Sequence, residues 1–150
     1  MNDIVEKLTQ KDDKKAYEFT KQIAAASVSS SEYYFMIDDF AALLSDDKSY
    51  IRTRAFILCC SQAKWDKDGK LKQYLSQLLP LFHDEKPTDV RQCLNATKEI
   101  VVYRPELCES IKKELDKIDL SKYKDSMVGL IEKDIGELKE LIKETYLEAK

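Results

Sequence analysis

The chain has 150 residues, one domain's worth by length and enough to bury a core without disulfides or a metal. Charged residues make up 35% but nearly cancel to a net of −3, which argues against a general binder of nucleic acid or anionic membrane. With 43% hydrophobic residues the chain is not disordered, and three Gly with three Pro leave too little turn chemistry for an all-β fold.

Apolar residues recur three and four apart along almost the whole chain, and breaks divide it into eight predicted helices. The first covers 2–9. After Gln10-Lys11-Asp12-Asp13 comes a helix over 12–27 carrying Ala16, Phe19 and Ile23. Ser29-Ser30-Ser31 leads into 32–44, with Ser31 as candidate N-cap. Ser45-Asp46-Asp47 precedes 48–64, where Ile51, Ala55 and Leu58 recur and Asp47 is the candidate cap. Asp66-Lys67-Asp68-Gly69 opens onto 70–82, with Leu71, Leu75 and Leu78, and Pro80 should kink that helix near its end. Asp84-Glu85-Lys86-Pro87 starts 88–103, and Pro87 stands where a missing N–H costs nothing. Arg104-Pro105 starts 105–118. Asp119-Leu120-Ser121 starts 122–147, with Ser121 as candidate cap and Ile131, Ile135, Leu138 and Ile142 as the apolar stripe. Whether this last helix runs through Gly136 is open at this stage. No stretch alternates as a half-buried strand would.

The N-terminus, Met1-Asn2-Asp3-Ile4-Val5-Glu6, lacks the basic-then-apolar pattern of a signal peptide, and no apolar run approaches the ~18 residues of a membrane span. Cys59, Cys60, Cys93 and Cys108 read as free thiols, two of them adjacent on one helix. The expectation is a cytoplasmic protein.

Spacing shows a repeat. Asp46-Asp47-Lys48-Ser49-Tyr50-Ile51-Arg52 aligns with Asp84-Glu85-Lys86-Pro87-Thr88-Asp89-Val90-Arg91, putting the two arginines 39 apart, each after a β-branched apolar residue. Leu71, Leu75, Leu79 and Phe82 map onto Leu107, Ile111, Leu115 and Ile118 at an offset of 36, and Leu8 stands 36 before Leu44. Periods in this range belong to two-helix solenoid units. One helical hairpin cannot bury its own stripe, but stacked hairpins can, and four fit here. The charged face of the last helix, in Glu132-Lys133-Asp134 and Glu137 to Glu144, suits a terminal cap. The fold expected is all-α: one domain over 1–150, a right-handed α-α superhelix (HEAT/armadillo-like solenoid) of about four helical hairpins.

Leu78 to Arg91, a leucine-rich helix end followed by Asp and then Val-Arg, resembles the HEAT repeat signature. The resemblance implies that the Asp before each second helix and the Arg within it pair along a ladder, here Asp46 and Arg52, Asp84 and Arg91. The whole chain also resembles a set of short bacterial HEAT-like proteins often labelled SufBD. The likeness rests on Asp38-Asp39-Phe40-Ala41, Ser49 to Arg54, Trp65-Asp66, Asp84-Glu85-Lys86-Pro87, Arg91-Gln92-Cys93 and Lys122 to Met127, and spans Lys11 to Ile135. The label implies a link to iron–sulfur assembly, although the scaffold proteins of that system are β-helices, a fold this chain cannot adopt.

Catalytic constellations are scarce. His83 is the only histidine, so a HEAT-type di-iron site is excluded by composition, and a Cys–His nucleophile would need His83 beside an activated thiol. The cysteines show no Cys-x-x-Cys spacing. Asp66-Lys67-Asp68-Gly69-Lys70 has the start of a calcium loop but carries Gln77 where the twelfth-position Glu belongs, so it reads as a helix-joining turn. No catalytic residue, metal site or cofactor is expected.

That leaves surface. With Ile51, Ala55, Leu58 and Gln62 facing the core, helical spacing presents Thr53, Ile57, Cys60 and Lys64 on the opposite side. The next second helix, centred on Val90, Leu94 and Val101, presents Gln92, Ala96, Glu99 and Tyr103, and the first presents Glu18, Gln22, Ala25 and Ser29. A comparison with HEAT-like alkylpurine DNA glycosylases implies Arg52, Arg54, Lys64 and Arg91 as phosphate contacts, but the face so built is small, mixed and nearly neutral. The expectation is a non-catalytic module that holds a peptide or partner protein on a concave helix face.

Overall fold

The computed structural model describes residues 2–149, with side chains over 3–145. It is all-helical: among the described residues there are eight α-helices and no strand. In chain order they are α1 (Asn2–Thr9), α2 (Asp13–Ala26), α3 (Ile37–Ala42), α4 (Ser49–Ser61), α5 (Lys70–Leu78), α6 (Pro87–Tyr103), α7 (Cys108–Leu115) and α8 (Asp125–Ala149). Short 3₁₀ turns extend α3, α5 and α7 at one end or the other. Pro80 acts as expected: α5 stops at Leu78 and the chain tightens into a 3₁₀ turn over Leu79–His83. Pro87 is the first residue of α6. Gly136 does not interrupt α8, which is continuous.

The helix starts differ in detail from the sequence reading. At α4 the working side chain is Asp46, not Asp47: its Oδ1 accepts from the Lys48 amide at 2.9 Å. Asp84 accepts from the Lys86 amide at 3.3 Å and Asp119 from the Ser121 amide at 3.0 Å, so Ser121 is a donor rather than the cap. One aspartate thus organises the turn inside each of three successive hairpins. Ser31 offers its carbonyl, not its hydroxyl, to the Tyr34 amide.

The even-numbered helices pack side by side in chain order, α2 on α4, α4 on α6 and α6 on α8. α2 and α4 run parallel, since Asp13 meets Arg54 and, further along both, Ser27 meets Gln62; so do α6 and α8, where Arg91 meets Asp134 and Lys98 meets Glu137. The odd-numbered helices lie against them, with α3 on α5 and α7 on the turn that ends α5. One continuous cluster of buried side chains runs from Leu8 to Ile142, centred on Phe40, Phe56 and Phe82.

The turns at both ends stack as well. On one side the Arg52 Nη2 reaches the Asp84 carboxylate at 3.2 Å, and the Tyr123 hydroxyl donates to the Asp84 carbonyl at 2.6 Å. On the other, the Trp65 Nε1 donates to the Ser27 carbonyl at 2.7 Å and the Arg104 Nε to the Ala63 carbonyl at 2.9 Å. These partners stand 32, 39, 38 and 41 residues apart. These separations bracket the sequence offsets of 36 and 39.

Candidate functional site

The face presented by α2, α4 and α6 is where the sequence places its site, and α4 decides its shape. This helix has neighbours on both flanks and a third layer beneath, so burial extends almost around it. Ile51, Ala55, Leu58 and Gln62 point into the core as expected. Thr53 and Cys60, expected on the open face, are buried at 3% and 1% exposure and are not surface at all. Both turn toward α6, where Cys60 feels the charge of Glu99 and Thr53 adjoins Asp89 and Cys93. No residue of α4 is fully exposed: Ser49, Tyr50, Arg52, Ile57 and Ser61 are half-buried, and Lys64 is exposed just past its end. On α6 the surface assignment is right for Glu99 and Tyr103, which are exposed, while Gln92 and Ala96 are half-buried beside them. Glu18, Gln22, Ala25 and Ser29 of the first pair are all exposed.

Along this face, Val102 and Tyr103 are 46% and 39% exposed, and Ile57 is half-buried on the neighbouring helix. Lys64 lies at its far end, donating to the Val28 carbonyl at 3.3 Å and standing 5.0 Å over the Trp65 ring.

The arginines are committed inside the molecule. Arg52 pairs with Asp84, and its Nη1 also donates to the Asp46 carbonyl at 2.8 Å, so Asp46 meets Arg52 through its backbone and not its carboxylate. Arg91 does not pair with Asp84. Its Nε donates to Asp134 on α8 at 2.7 Å, and Asp134 is buried. Arg54, itself buried, donates to the Leu8 carbonyl at 3.0 Å, pairs with Asp13 at 3.2 Å and stacks 5.0 Å over the Tyr50 ring.

At the N-terminal ends of α2, α4 and α6 the same face opens into a cavity of about 260 Å³, lined by Asp13, Lys14, Tyr17, Tyr50, Thr53, Arg54, Asp89 and Gln92. Asp89 is 8% exposed, and its Oδ2 has no hydrogen-bond partner. Burial raises its carboxyl above the ordinary range, opposed chiefly by the nearby Ser49 hydroxyl. The sequence pointed to Asp89 only as part of a repeated turn; an acidic residue in the first turn of a helix is too common to single out.

All four cysteines are unpaired and buried, and burial raises the thiols of Cys59, Cys60 and Cys93, the opposite of activation. His83 pairs with Glu114 of α7 rather than with a thiol. Among the described residues no three His, Cys, Asp or Glu side chains converge as metal ligands. Asp66 is fully used as a helix cap, accepting from the Lys70 and Leu71 amides at 2.8 and 2.9 Å and from the Tyr34 hydroxyl at 2.7 Å. No helix among the described residues is long and apolar enough to cross a membrane. Comparison with known protein families, characterised proteins and solved structures found no match.

Proposed function

We propose that the stacked hairpins form a short right-handed superhelix of the HEAT/armadillo kind, whose even-helix face is a non-catalytic surface for a peptide or partner protein. The stacking supports the first part, because bonds between hairpins join residues 32 to 41 apart, which brackets the sequence offsets of 36 and 39, as in a solenoid. The exposed pair Val102 and Tyr103 at the end of α6 carries the second. Apolar side chains grouped on one open face with a polar rim mark a protein contact, and Tyr is enriched among residues that dominate binding energy. A nucleic-acid partner is the weaker alternative: Arg52, Arg54 and Arg91, which would contact phosphate, are each paired with an aspartate. Four unpaired, buried thiols support a reducing cytoplasmic setting.

The test is partner capture from the source cell with three variants. Val102→Asp and Tyr103→Ala should abolish capture with melting temperature held, because both side chains are substantially exposed. Lys72→Ala, exposed on α5, should leave it intact. Capture that survives both face variants removes this assignment.

A further inference from the structure

We draw no further inference here: the strongest candidate, the exposed apolar patch of Val28 and Phe35 beside Trp65 where α2 and α4 end, has a rim that mixes Lys67 and Lys70 with Asp38 and Asp68, and nothing in the structure shows what covers it.

Discussion

At the residue scale, Asp66 shows how one side chain holds two hairpins. It is 2% exposed, yet every hydrogen bond it accepts comes from a defined donor: two amides of α5's first turn and the Tyr34 hydroxyl before α3. Gly69, at φ +69, makes the tight approach to α5 that brings those amides over the carboxylate. Removing the carboxylate leaves the buried Leu71 amide without its partner. Asp66→Ala should therefore cost about 2–3 kcal/mol, above a typical exposed cap, and lower the melting temperature accordingly. Asp68→Ala, exposed in the same turn, is the control. Equal losses would show that the turn, not the buried carboxylate, carries the stability. The sequence marks Asp66 as part of a helix-joining turn from its Asp/Gly composition. Its partner Tyr34, 32 residues earlier, is not visible there because nothing local constrains a tyrosine to reach it.

At the element scale, α6 and α8 make the most instructive pair. Two ion pairs bridge them, Arg91 to Asp134 and Lys98 to Glu137. They differ in burial: the Asp134 side chain is 4% exposed, while Lys98 and Glu137 are 35% and 41% exposed. An exposed pair is screened by water and gains little, whereas removing Arg91 strands a charge in the interface. Arg91→Ala should cost about 2 kcal/mol in urea unfolding, and Lys98→Ala should change stability little. Similar losses would place Asp134 in contact with water. Helical spacing identifies Arg91 as the residue matching Arg52, but the two take different partners. The Asp84 carboxylate is occupied by Arg52 and by the Lys86 amide, and α8 offers Asp134 to Arg91 instead.

At the scale of the whole molecule, stability should grade along the stack. α4 and α6 have helices on both flanks, while α2 is flanked on one side by α4 alone. Opening a terminal hairpin breaks one interface, and opening a central one breaks two. Hydrogen exchange should therefore be slowest in the middle turns of α4 and α6, around Leu58 and Leu94, and faster in α1 and α2. Uniform protection from end to end would show a single cooperative unit without that gradient.

The sequence by itself determined the helices, their breaks and the period that stacks them. These depend on neighbours three and four residues away and on Pro, Gly and Asp at the turns, all local physics. The aspartates at 46, 84 and 119 repeat because each turn needs the same amide capped. The tertiary structure decided which side of α4 is surface. A helix with an apolar residue on nearly every side carries no stripe to read, and only the positions of α2 and α6 determine that Thr53 and Cys60 are covered while Ile57 and Lys64 are not. The cavity around Asp89 was decided the same way. It joins residues from three helices, one repeat apart, and the missing partner of one carboxylate oxygen becomes visible only when every neighbouring donor has been placed.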